Sequence, residues 1–384
     1  MNFEQLELKP TDSDQYLASM DGQYFYIGPL LYEIVVRAKS LRSPVEIVED
    51  LKQDLSINLD IKQVEEALEG LKKRFNPEGI EGGTRKRTRS SYIHFKWRLM
   101  GGEMLEKITR PLSLLFRPKT IAILGVLSIL ITGYYYLMAT RPEISLSSKE
   151  LAAAYLILFC VFFIHELGHA AATKYYGMKP HEISFGFYLV FPVFFADVSE
   201  AWSLNKYKRI IINLGGVYFQ LIINAIFVSL AFIYPSSSIL ATLLYTNLFV
   251  IAYSLMPFLR YDGYWIYSDL FEIPNLMSRS ILYPYQLWAH YRAGKKTKTN
   301  WPLLTYSVSS YLFFMVMFYF MGRFVAKCIE QVMITTESTD LGWMDFLSQV
   351  ELSFFFRAFI VLFMISFLTY RLAKYGWAKF IKNF

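Results

Sequence analysis

The stretch LAAAYLILFCVFFIHELGHAAA, Leu151 to Ala172, decides how the chain is read. Its first part is uncharged and, with its neighbours, long enough for a helix to cross a hydrocarbon core of about 30 Å, which takes about 20 residues. Its end carries two histidines and a glutamate, groups that are expensive inside a bilayer and less so near its surface. Working outward, apolar runs recur at 119–139, 149–170, 210–234, 239–258, 303–323 and 352–371. Of 384 residues, 54% are hydrophobic and 18% aromatic, too many for an ordinary water-soluble chain when concentrated in runs. The fold class expected is mostly α, a polytopic helical membrane protein with about six transmembrane helices. Cys160 and Cys328 lie far apart and give neither a paired spacing nor a thiolate metal motif, so no disulfide framework is expected.

The formal net charge of +7 does not point to nucleic acid, because the basic residues sit beside the ends of apolar runs. Arg110, Arg117 and Lys119 precede the first run, and Lys174, Lys179, Lys206, Lys208 and Arg209 fall between the second and third. Glu330, Glu337, Asp340 and Asp345 lie between the fifth and sixth; Arg323 and Lys327 run against the pattern. This asymmetry predicts a multi-pass chain with both termini in the cytoplasm, and anionic lipid as a partner. The N-terminus MNFEQLELKPTDSDQ lacks the pattern of a cleaved signal peptide.

Residues 1–75 read as a small soluble α+β domain. DGQYFYIG alternates like a short hairpin, and PLLYEIVVRAK follows as a helix with Leu31, Ile34, Val35 and Ala38 on one side. In SPVEIVEDLKQDL, Ser43 is the N-cap, Glu46 completes a capping box, and Val45, Val48, Leu51 and Leu55 form the apolar stripe. DIKQVEEALEGLKKRF is a third helix through Val64, Ala67, Leu68 and Leu71. Residues 76–118 read as a basic linker and membrane-surface segment, and 119–384 as the transmembrane domain. Phe185 to Trp202, with Pro192 inside it, is too apolar for a water-exposed loop and too broken for a span, which suggests a re-entrant hairpin.

In HELGH, His165 and His169 are four residues apart, so a helix offers both imidazoles to one ion. Glu166 follows the first histidine and can reach water on that ion without being a ligand. This is the zinc-peptidase arrangement, with Zn2+ as cofactor and Glu166 as general base. Two histidines need a third protein ligand. Among the other histidines, His94, His181 and His290, only His181 lies near the same membrane side, in a loop where solvation is expected. Asp262 in SLMPFLRYDGYW is the better candidate: Pro257 ends the preceding helix and Gly263 permits a tight bend. Asp197 is an alternative that would orient a ligand or substrate. Asn213, Asn224 and Asn247 are open either as oxyanion donors or as helix-bridging groups.

The chain resembles the site-2 protease family of intramembrane zinc metalloproteases, in its branch of bacterial peptide zinc metalloproteases. The resemblance rests on HELGH at 165–169, LMPFLRYDGY at 255–264, PVFFADVSEAW at 192–202 and NLGGVYFQ at 213–220. It implies ligands His165, His169 and Asp262, base Glu166, and an active site in the membrane near its cytosolic face. It also implies a hairpin beside the site that pairs with extended substrate. Ser254 stands where many members have asparagine, and Gly215, Gly216, Val217 and Gln220 replace their alanine-glycine-proline and asparagine, leaving the oxyanion donor open.

Residues 1–75 are similar to the winged-helix domains that grip leader peptides of ribosomally made, modified peptides, implying a peptide substrate held by its leader. The function expected is hydrolysis of a peptide bond in such a precursor. The alternative is a non-proteolytic, metal-containing membrane component that recruits or helps export a modified peptide with an ABC transporter or peptide-modifying enzyme. Glu166 discriminates, since a structural zinc gains nothing from a general base.

Overall fold

The computed structural model describes residues 3–10, 16–20, 23–40, 43–75, 93–138, 144–188, 191–294 and 298–337. The chain forms two compact units, Met1–Pro274 and Asn275–Phe384.

The first unit begins with β1 (Glu7–Pro10), β2 (Tyr16–Met20) and β3 (Gln23–Ile27), an antiparallel sheet in that order. DGQYFYIG, expected to form a hairpin by itself, supplies only the strand β3; its partner β2 comes from the residues before it, and β1 adds a third strand. Helices α1 (Pro29–Lys39) and α3 (Ile61–Phe75) pack on this sheet, and α2 (Pro44–Leu55) packs against those two helices. Leu6, Ala18, Ile27, Val35, Leu71 and Phe75 make one core cluster, and Ile34, Ala38, Ile47, Leu51 and Val64 another. The capping box of α2 forms: Ser43 Oγ accepts from the Glu46 N–H at 3.3 Å, and the Glu46 carboxylate accepts from the Ser43 N–H at 2.8 Å. Its buried face differs from the expected stripe. Val45 and Leu55 are exposed, and Ile47 takes the central place beside Leu51, because the face meeting α1 and α3 is rotated toward Ile47.

Within 76–118, residues 76–92 lie outside the described residues. From Ile93, β4 (Ile93–Gly101) leads into α4 (Gly102–Leu112). β5 (Glu182–Tyr188) and β6 (Phe191–Ala196) form an antiparallel hairpin over most of the awkward apolar segment, and β4 joins it in the order β4-β5-β6. Met100, Leu105 and Ile183 bury against Leu167 and Ala170, so strand, helix and hairpin cover the end of the HELGH helix. Glu106 on α4 pairs with Lys174, whose ammonium holds the Glu106 carboxyl below its ordinary range.

Among the described residues, four helices are long and apolar enough to cross a membrane: α5 (Pro118–Met138), α6 (Ser148–Tyr175), α7 (Lys206–Ile233) and, in the second unit, residues Trp301–Lys327 of a longer helix. α8 (Ser238–Ser254) is apolar but shorter, and the run 352–371 lies outside the described residues. α6 starts at a second capping box, Ser147 with Glu150. Tyr135, Leu158, Val161, Phe227, Val228 and Leu244 are buried together where α5, α6, α7 and α8 meet. α9 (Asp262–Leu270) follows a turn after α8. The second unit contains α10 (Leu276–Ser280), α11 (Tyr283–Arg292) and α12 (Trp301–Glu337); Ser307 Oγ donates to the Ser280 carbonyl at 2.5 Å.

Candidate metal centre

HELGH lies well inside α6, in a buried stretch of small residues, Gly168 and Ala170 to Ala172, that lets α7 approach closely. A Cβ on Gly215 would stand 2.7 Å from the Gly168 carbonyl oxygen, so this seam has no room for a side chain on either helix. One residue on, Gly216 faces the His165 ring, where any Cβ would collide with the imidazole.

The seam fixes both imidazoles. His165 Nδ1 is 2.8 Å from Gln220 Oε1, and His169 Nδ1 is 2.7 Å from the Ile212 carbonyl oxygen. The Gln220 amide nitrogen is committed to Asn247 Oδ1 at 3.2 Å, so its oxygen faces His165. Each Nδ1–H therefore donates, and the neutral ring is left with a lone pair on Nε2.

The two Nε2 atoms lie 3.1 Å apart. Asp262 Oδ2 is 3.1 Å from His165 Nε2, and Oδ1 is 3.4 Å from His169 Nε2. Three electron-pair donors thus face one another, and Asp262 Oδ2 is buried with no hydrogen-bond partner among the described residues. Ligand atoms about 2.0–2.2 Å from a tetrahedral zinc stand roughly 3.3 Å from each other. The donor set and its spacing fit a divalent cation of that size.

Asp262 arrives there as expected from its neighbours. α8 ends at Ser254, the chain turns through Pro257, and α9 begins at Asp262, with Gly263 so close under the Leu255 carbonyl that a Cβ is excluded. Glu166 belongs to the cluster with both histidines, the three offering atoms within 4.8 Å of one another. Its Oε2 accepts the Ala196 N–H at 2.7 Å, tying it to the end of β6.

The other residues singled out in the sequence have different partners. Asp197 Oδ1 accepts the Ser199 N–H at 3.2 Å, fixing the turn Ser199–Ser203. His181 is not simply solvated: its Nε2 is 3.3 Å from Glu200 Oε1. His290 Nδ1 meets the Gln286 carbonyl, and the His94 side chain lies outside the described residues. Asn213 donates to Asp269 Oδ2 at 3.0 Å; burial pushes that carboxyl up, while Arg209 and Asn213 pull the other way. Asn247 donates to Asn224 Oδ1, and Asn224 to Thr132 Oγ1, both at 3.2 Å. All three asparagines bridge helices. Sequence reasoning missed Gln220 as the partner of His165. The usable signal was its spacing, since Gly216 and Gln220 share a helix face and offer a space and an acceptor one turn apart.

The chain is similar to a Bacillus subtilis (strain 168) protein provisionally named peptide zinc metalloprotease protein YydH, 29% identical over 138 residues. The match covers 34% of this chain and 54% of that relative, so the chain spans about half the relative's length. No family model matches the chain, and no solved structure matches it.

Proposed function

We propose that the chain is a zinc-dependent metalloendopeptidase of the site-2 protease type, which hydrolyses a peptide bond near the cytoplasmic face of the membrane. The observation that carries this reading is the convergence of His165 Nε2, His169 Nε2 and an Asp262 carboxylate with an orphaned oxygen, beside Glu166. The name of the Bacillus subtilis relative supports the same class.

His165, His169 and Asp262 would hold the zinc, which when bound polarises a substrate carbonyl and acidifies water in its fourth position. Gln220 and the Ile212 carbonyl keep both Nε2 atoms deprotonated and aimed. Glu166 takes the proton of the attacking water and passes it to the leaving amine, its carboxylate held in place by the Ala196 N–H. β6 is an edge strand of its sheet among the described residues and ends at that N–H. An extended substrate strand added to β6 would have its carbonyls free of helical hydrogen bonds and close to Glu166. In this reading the chain has six spans with both termini cytoplasmic, the β5–β6 hairpin is re-entrant, and lipid covers the apolar helices. The domain at 1–75 binds the leader of a ribosomally made peptide, with an ABC transporter or modifying enzyme as a further partner.

The test is metal analysis and cleavage with full-length protein in lipid nanodiscs. Wild type retains about one equivalent of zinc and cuts within a peptide library; His165→Ala and His169→Ala lose the zinc; Glu166→Gln keeps zinc and loses cleavage. Full zinc in both histidine variants would refute the ligand assignment. Zinc binding without cleavage of any peptide would favour the recruitment and export role.

A further inference from the structure

One short segment of α7 touches both histidines and reaches the helix that carries Asp262. Ile212 fixes His169, Gly216 leaves space for His165, and Arg209 and Asn213 reach across to α9. There, Asp269 Oδ1 accepts from Arg209 Nε at 2.7 Å and Oδ2 accepts from Asn213 Nδ2 at 3.0 Å. The carboxylate is buried, and Arg209 also donates through Nη1 to the Leu204 carbonyl at 2.7 Å. Lys206 and Glu272, 3.3 Å apart, tie the N-terminal turn of α7 to the residues just past α9. Asp262 and Asp269 are seven residues apart on one short helix, so they lie on the same face about two turns from each other. A shift of α9 along α7 cannot move one carboxylate without the other.

We infer that Asp269, clamped by Arg209 and Asn213, is a positioning residue that holds Asp262 at the spacing the two histidines require. This rests on the reading of His165, His169 and Asp262 as a metal site. Aromatic side chains lie beside the clamp. Tyr26 of β3 packs edge-on against Trp202 at 6.1 Å, and Trp202 against Trp265 of α9 at 5.7 Å. A cavity of about 200 Å³ beneath them is lined by Tyr26, Trp202, Lys206, Arg209, Asp269 and Glu272. The clamp therefore lies where the N-terminal sheet meets the helices.

The experiment measures zinc affinity of the full chain in detergent by competition with a chromophoric chelator, and the absorption spectrum of cobalt(II) placed in the same site. Asn213→Ala and Asp269→Asn should weaken zinc binding about 10–100-fold and alter the cobalt spectrum, as loss of a group orienting a ligand does elsewhere. Leu244→Ala, a core truncation away from the clamp, should lower the melting temperature and leave both readouts unchanged. If Asp269→Asn does not fold, Asn213→Ala carries the test, since it leaves the ion pair with Arg209 in place. Wild-type affinity and spectrum in the clamp variants that fold would overturn the inference, and so would an equal loss in Leu244→Ala. If Asp262→Ala loses zinc and Asn213→Ala does not, only the clamp falls. If wild type binds no zinc, the metal reading falls and takes the clamp with it.

Discussion

Gly216→Ala is the sharpest single perturbation of the centre. The added Cβ would lie 2.5 Å from both Cδ2 and Cε1 of His165, whereas real Cβ atoms essentially never approach another atom within 3.0 Å. The ring must therefore retreat by at least about 0.5 Å, beyond the ±0.2 Å within which metal–ligand distances hold. Backbone offers no relief, because Gly168 and Gly215 already pack against each other one residue away. Overpacking of this kind costs about 1–3 kcal/mol in fold stability. Misplacing one of the three proposed ligands should reduce zinc affinity at least about 100-fold, or about 2.7 kcal/mol of binding free energy. Zinc competition on purified full chain, with a metal-free thermal melt run separately, divides the two effects. Gly133→Ala is the control, since nothing lies within 4 Å of its added methyl. Wild-type zinc affinity in Gly216→Ala would refute the reasoning that the seam positions His165.

Gln220→Leu removes the acceptor for His165 Nδ1 and should weaken zinc binding about 10–100-fold by the same competition assay, while Gln220→Glu, which keeps an acceptor, should lose less. Removing zinc with a chelator should lower the melting temperature, because a ligand at 100 times its Kd contributes about 2.7 kcal/mol; an unchanged melt in protein shown to have released zinc would contradict a site built from the folded helices. Ser43→Ala should destabilise the N-terminal domain by about 1 kcal/mol in denaturant melts through loss of the α2 capping box, with zinc affinity unaltered.

What the sequence disclosed was local. The spacing of HELGH puts two imidazoles on one helix face, and Pro257 and Gly263 mark the bend at Asp262. Ser43 and Glu46 announce a helix start because both partners of the capping box lie within one turn. What stayed hidden depends on partners distant in the chain. β4 sits in a segment that reads as linker, since its pairing partner β5 lies some 80 residues on and bulges break the register between them. Gln220 has no meaning until α7 lies against His165, and Asn213 none until α9 brings Asp269. The face of α2 was misjudged for a related reason: four apolar residues fit a stripe, and only contact with α1 and α3 selects Ile47 over Val45 and Leu55.

The run of buried amides from Gln220 through Asn247 and Asn224 to Thr132 bears on how the chain is assembled. Three helices share it: α7 supplies two side chains, α8 one and α5 the hydroxyl. If, as proposed above, these helices lie in a membrane and α7 is inserted before α8, the Gln220 amide nitrogen and the Asn224 amide oxygen lack their Asn247 partner, and each unsatisfied polar group in hydrocarbon costs several kcal/mol. Emergence of α8 removes that penalty at both amides together, so α5, α7 and α8 gain stability as a set. A chain cut before Asn247 should then be held by insertion machinery or degraded, and the same truncation in a Gln220→Leu, Asn224→Leu background should be released into lipid more readily.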